Sequence, residues 1–185
     1  MGTFVIIVFL SIFTTKILAE SCTVNSLYNT TCPIAHLEVL STNVYLSQEN
    51  CDTIYKKEDF KDHPTVKFSA AKLDNFYTLI MTDPDAVNTK PGTYVLHWMV
   101  ANIKGTDFVN GDFSEALIIK EYHPPGPPPN SGMHRYQFTV YTQEKKLFGK
   151  IAHEDRANFL LEPWLESTGQ SVCGPVAGVQ FRVFG

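Results

Sequence analysis

Four side chains able to hold, donate or accept a proton, Asp83, His97, His134 and Tyr136, fall on three separate stretches of otherwise apolar character. In a strand, alternate residues share a face. On the first stretch Tyr77, Leu79 and Met81 then point one way and Asp83 is in phase with them. His97 falls in phase with Val95, Met99, Ala101 and Ile103, and His134 and Tyr136 with Phe138 and Val140. A single histidine on an apolar face is usually a core imidazole bonded to a backbone group. Three strands each aiming a polar group at the core are better explained by one shared pocket, because a buried polar group left unpaired costs roughly 1–3 kcal/mol. Imidazoles and a phenol can donate to phosphate oxygens. A carboxylate can orient a donor or accept from a ligand ammonium.

Immediately before His134 the chain reads His123-Pro124-Pro125-Gly126-Pro127-Pro128-Pro129. Five prolines exclude helix and central strand, so this is a stiff loop. It supplies a wall that loses little entropy when a ligand binds. Catalysis has weaker support. Two histidines and an aspartate could form a facial metal triad or a phosphate-ester site, but the HExxH, GxSxG and CxxC patterns are absent and no activated nucleophile is evident. The expectation is a non-catalytic protein with neither metal nor cofactor.

The elements that must position these groups are short. Leu37–Leu46, Val66–Phe68, Asn75–Thr82, Tyr94–Ile103, His134–Tyr141 and Gly178–Phe184 alternate with strand period. They are rich in Val, Ile, Tyr, Phe and Thr and bounded by Gly, Pro, Asn and Asp. One helix is expected from about Glu154 to Glu166, with Ala157, Leu160, Leu161 and Leu165 on its apolar side and Pro163 kinking or dividing it. The predicted fold is mainly β: an antiparallel β-sandwich with one or two short helices.

Three blocks in order, Thr82-Asp83-Pro84-Asp85-Ala86, His97-Trp98-Met99-Val100-Ala101-Asn102-Ile103-Lys104-Gly105 and Gly126-Pro127-Pro128-Pro129-Asn130-Ser131-Gly132-Met133-His134-Arg135-Tyr136, resemble the signature of the phosphatidylethanolamine-binding proteins. That family includes Raf kinase inhibitor protein, plant flowering regulators and secreted animal members. Pro175-Val176-Ala177-Gly178 resembles its C-terminal block, and the likeness extends from about Leu37 to the end. The resemblance implies a sandwich with a small anion pocket lined by Asp83, His97, Gly126, Pro127, His134 and Tyr136, with Asp85 and Arg135 supporting the loops. It departs from the family at Val87, where proline is usual, and at Val95, where many members have tryptophan. The stop at Gly185 implies that the C-terminal helix and pocket tyrosine of mammalian members are absent.

The whole chain sets the compartment. Phe4–Phe13 is apolar except for Ser11, and Ile17-Leu18-Ala19 precedes Glu20, the layout of a secretory leader cleaved after Ala19. Residues 20–185 are then expected to form one domain, exported and extracellular. The formal charge of −4 provides no basic footprint for nucleic acid, and the leader is too short for stable membrane insertion. Cys22, Cys32, Cys51 and Cys173 are expected to form two disulfides, in any of three pairings. Asn29-Thr30-Thr31 is a glycosylation sequon. The expected partner is a phosphate-bearing small molecule or phospholipid headgroup such as phosphoethanolamine. An extracellular protein partner, as for a protease inhibitor or signalling protein, is the alternative.

Overall fold

The structure, a computed structural model, describes Cys32, Ile34 and residues 36–87, 89–148, 155–169 and 171–185. The expected leader at 1–19 and the sequon at Asn29 lie outside the described residues.

Among the described residues eight strands form two antiparallel sheets. In chain order they are β1 (Leu37–Leu40), β2 (Tyr45–Leu46), β3 (Thr65–Phe68), β4 (Phe76–Asp83), β5 (Val95–Lys104), β6 (Leu117–Lys120), β7 (Met133–Gln143) and β8 (Val172–Phe184). The small sheet runs β2-β1-β3 and the large one β6-β5-β4-β7-β8. Two α-helices accompany them among the described residues, α1 (Gly105–Phe108) and α2 (Leu161–Ser167). The predicted strand Leu37–Leu46 is two strands, because Ser41 and Val44 bond to each other's backbone and turn the chain. The short β6 went unpredicted, and it pairs only along the β5 edge, from Met99 to Ala101.

Between the sheets lies the larger core. Leu37, Val39, Leu46, Val66 and Phe68 face Tyr77, Leu79, Met81, Trp98, Val100, Tyr136, Phe138, Val179 and Phe181. Phe60 stacks on Phe181 with centroids 3.8 Å apart, and Tyr136 stacks on the same ring at 5.2 Å. Each such buried aromatic contributes about 2–3 kcal/mol of transfer free energy. The large sheet is also covered on its other face, where Ile80, Leu96, Met99, Ala101 and Tyr141 pack against Phe159, Leu161, Trp164 and Leu165. The sandwich therefore carries a third layer, which explains why β4 alternates so weakly: seven of its eight residues are buried.

Helix α2 corrects the helix expectation. Ala157 and Leu160 are not helical, and Pro163 divides nothing: it is the third residue of a helix that starts at Leu161. There its missing N–H would have had no intrahelical partner in any case. α1 starts at a glycine out of necessity, since a Cβ on Gly105 would collide with the Lys72 carbonyl.

Cys32 and Cys51 are joined by a disulfide with Cα atoms 5.6 Å apart, and Cys173 is disulfide-bonded as well. Among the described residues no helix is long and apolar enough to cross a membrane.

Candidate functional site

Asp83 ends β4 opposite Val95 of β5, and β7 begins beside it with His134 and Tyr136. The alternation expected for β4 and β7 holds: Tyr77, Leu79 and Met81 share the inter-sheet core with Tyr136, Phe138 and Val140. β5 does not follow it. Met81 pairs with Trp98 but Thr82 pairs with Leu96, so His97 is an extra residue, a bulge. A bulge sets two residues against one and re-aims the side chains around it. Leu96, Met99 and Ala101 consequently face the third layer, while Trp98 and Val100 face the inter-sheet core. His97, expected in phase with Met99 and Ala101, instead sits on the Trp98 side, edge-on to the Tyr136 ring at 5.1 Å. A second bulge near Asn102 returns Ile103 to that core.

All six residues proposed from the sequence, Asp83, His97, Gly126, Pro127, His134 and Tyr136, line one cavity of about 210 Å³, together with Ala86, Val87, Val95, His123 and Pro128. Val87 and Val95 give it an apolar flank. The polar lining residues Asp83, His97, His134 and Tyr136 are deeply buried, at 3 %, 4 %, 1 % and 1 % exposed.

The hydrogen bonds fix where the protons are. Ser131 Oγ lies 2.6 Å from the Pro128 carbonyl and 2.8 Å from His134 Nε2. A carbonyl only accepts, so the hydroxyl proton goes to Pro128 and His134 Nε2–H donates to Oγ. The other ring nitrogen, Nδ1, is 2.8 Å from Asp83 Oδ2. That short contact requires one shared proton, and whichever partner holds it, the pair is neutral overall. Burial pushes the Asp83 carboxyl above its ordinary value, opposed by the bond from His134. The Asp83 Oδ1 atom accepts the Asp85 amide at 2.8 Å and shapes the turn.

His97 has a different state. Its Nδ1–H donates to the His123 carbonyl at 2.8 Å, while the His123 amide donates back to the His97 carbonyl at 2.8 Å. Burial, then the neighbouring His123 and Arg156, lowers its pKa to about 4. The ring is therefore neutral near pH 7, and Nε2 is left as an acceptor. Burial also keeps Tyr136 protonated, with the Gly126 backbone bonded to its hydroxyl.

Two arginines frame the cavity. Arg135 grips Asp85 through Nε and a terminal nitrogen, each at 2.7 Å, and the Arg135 amide adds a third bond at 2.9 Å. Although burial opposes it, Arg135 holds the Asp85 carboxyl below its ordinary range. The pair ties the loop after β4 to the start of β7, the supporting role expected of it. Arg156 donates to the carbonyls of Leu96 and His97 at 3.1 and 2.9 Å and to that of Glu121 at 2.8 Å. It pins the bulge to the segment that leads into the proline loop.

Sequence reasoning missed Ser131, Arg156 and His123 as parts of the site. Ser131 precedes a left-handed Gly132 (φ 87°) that turns the loop into β7, and nothing local reveals that its hydroxyl reaches His134. His123 opens the proline run and carried a signal in its type alone. Among the described residues no group of three His, Cys, Asp or Glu side chains is arranged to hold a metal ion.

The family model described as Phosphatidylethanolamine-binding protein matches residues 41–169, which span β2 through α2 and every lining residue of the cavity. The chain belongs to the phosphatidylethanolamine-binding protein family. A Drosophila melanogaster protein provisionally named odorant-binding protein A5 is 38 % identical over 95 residues, covering 50 % of this chain and 42 % of that protein. The 26 kDa secreted antigen of Toxocara canis is 38 % identical over 99 residues, covering 52 % of this chain and 35 % of its own length. The match thus spans less than half of either curated relative. Among solved structures, carboxypeptidase Y inhibitor, complexed with its cognate proteinase, superposes with a TM-score of 0.61 at 21 % identity over 80 % of this chain and 81 % of that one, a likeness of fold. These similar proteins are named for odorant binding, for antigenicity and for inhibition of a proteinase.

Proposed function

We propose that this family member is a secreted, non-catalytic binding protein whose cavity takes a small phosphorylated headgroup of the phosphoethanolamine type. The observation that carries the reading is the convergence of Asp83, His97, His134 and Tyr136 beneath the Gly126-Pro127 wall of one small cavity. Its volume of about 210 Å³ is smaller than the roughly 300–1,000 Å³ typical of drug-sized ligand sites, a scale that suits a headgroup. Its chemistry suits a ligand bearing both signs. His97 Nε2 and the Asp83 carboxyl can accept from an ammonium, and the Tyr136 hydroxyl can donate to a phosphate oxygen. Secretion is favoured by the leader-like Phe4–Phe13 run, the Cys32–Cys51 disulfide and the secreted relative from Toxocara canis. The protease-inhibitor reading has likeness of fold alone behind it.

Calorimetric titration tests the proposal. Phosphoethanolamine should bind with a Kd of about 1 mM or tighter, and His134→Ala should weaken it at least about tenfold, a loss of about 1.4 kcal/mol. Heat at the level of buffer dilution for both phosphoethanolamine and inorganic phosphate would refute the pocket.

A further inference from the structure

The cavity has an electrostatic deficit. Asp83 and His134 share a proton and sum to zero, His97 is neutral, Arg135 is paired with Asp85, and Arg156 is bonded to three carbonyls. An entering phosphate brings negative charge to a wall that has no uncommitted cation. Binding an anion in a partly desolvated site without compensation is costly.

One lining side chain can make up the difference. His123 is exposed at the mouth of the cavity, and its ring nitrogens have no hydrogen-bond partner among the described residues. Its main chain is held from both sides by His97, so the imidazole is carried on a fixed support. The rings of His97 and His123 lie 5.8 Å apart and 29° from parallel. The charged and titratable groups around it are His97 from β5, Arg156 from the segment before α2, Glu121 on its own segment, and Asp83, His134 and Tyr136 across the cavity.

We infer that His123 is the charge-compensating ligand residue of this site: when a phosphate group enters, the His123 imidazole takes up a proton from solvent and binds it as imidazolium. The inference rests on the headgroup reading above and adds the residue that makes it electrically feasible. In the empty cavity, burial and the nearby Arg156 hold the His123 pKa below its ordinary value, so the ring is largely neutral near pH 7 until an anion offsets Arg156. Affinity should then fall as pH rises through the window between the free and the ligand-bound pKa of His123, by at most about tenfold per pH unit.

The experiment titrates the full-length secreted protein with inorganic phosphate and, separately, with glycerophosphoethanolamine, from about pH 5.5 to 8.5, in the parent, His123→Gln and His123→Lys. The ligand's own ionisation is common to all three proteins and cancels in their affinity ratios. The parent should bind about five- to tenfold tighter than His123→Gln near pH 6 and no tighter above pH 8, with the His123 ring resonances shifting to a higher pKa on saturation. His123→Lys should keep tight binding at the alkaline end. Either probe producing this pattern supports the inference, and the tighter one identifies free phosphate or a lipid headgroup as the source. A parent that binds phosphate with the same affinity as His123→Gln at every pH overturns the role of His123 and leaves the pocket intact. Absence of binding by the parent, with unshifted His123 resonances, overturns both.

Discussion

Gln143 and His134 stand at opposite ends of β7, both buried and both bonded to neighbouring strands. At the Gln143 end every valence is used. Oε1 accepts from Thr78 Oγ1 at 2.8 Å and from the Asn102 amide at 2.7 Å, and Nε2 donates to Asn102 Oδ1 at 3.0 Å and to the Lys145 carbonyl at 3.2 Å. Asn102, in a left-handed conformation (φ 58°), passes the network on to both backbone groups of Leu147. None of these residues lines the cavity. At the His134 end the acceptor of His97 and the ring of His123 remain unspent, and a cavity lies beside them. Buried polarity by itself therefore does not mark a site in this protein. What marks it is polarity with bonding capacity left over, next to space.

That contrast can be broken experimentally. Gln143→Leu should be the most damaging change, since it strands the Thr78 hydroxyl, the Asn102 amide and the Lys145 carbonyl. A loss of about 4 kcal/mol in urea unfolding is expected, with phosphoethanolamine affinity unchanged. A parallel loss of affinity in the folded variant would mean that the two ends are one coupled network.

The next effect concerns pH. A histidine held at about 4 when folded binds fewer protons than it does unfolded, where its value is about 6.5. The stability associated with neutral His97 is thus complete above about pH 6.5 and is lost as pH falls toward 4, at up to about 1.4 kcal/mol per unit. Asp83, pushed upward by burial, contributes the opposite slope above its ordinary value. For that reason the informative quantity is the difference between the parent and His97→Gln. That difference should change by about 2 kcal/mol between pH 7 and 5, read from chemical unfolding at the two pH values. A constant difference would mean that His97 titrates in the folded protein as it does in the unfolded chain.

The smallest effect is expected for Ser131→Ala. Ser131 is partly exposed, so water can replace its hydroxyl at His134 Nε2, and the stability loss should stay near or below about 1 kcal/mol. Phosphoethanolamine binding should weaken only about two- to threefold, measured by the same calorimetry as for His134→Ala. A loss as large as that of His134→Ala would promote Ser131 from a brace to a ligand contact.

Much of this was legible in the chain. The alternation in β4 and β7 placed Asp83, His134 and Tyr136 on the core face, where the structure has them, because both strands are regular in those stretches. β5 was misread over Met99 and Ala101. Its bulge at His97 adds one residue and shifts the phase, and a bulge leaves no periodic trace of its own. The start of α2 was misplaced because Ala157 and Leu160 fit a helical apolar face yet precede the helix, and Pro163, read as an interruption, belongs to its first turn.

Residue types and spacing by themselves determined that the chain makes short strands, that a stiff proline loop precedes His134, and that Asp83 and His134 face the core of a sandwich. These are consequences of local sterics and of period-two burial, which act within a few residues. The state of each group was decided only by the tertiary structure. His97 is neutral because burial removes its water, an effect that outweighs the bond its Nδ1–H donates to a carbonyl 26 residues away. His134 shares its proton with an acid 51 residues away. Protonation depends on what surrounds a group in space, and distant strands supply those surroundings only once they have packed.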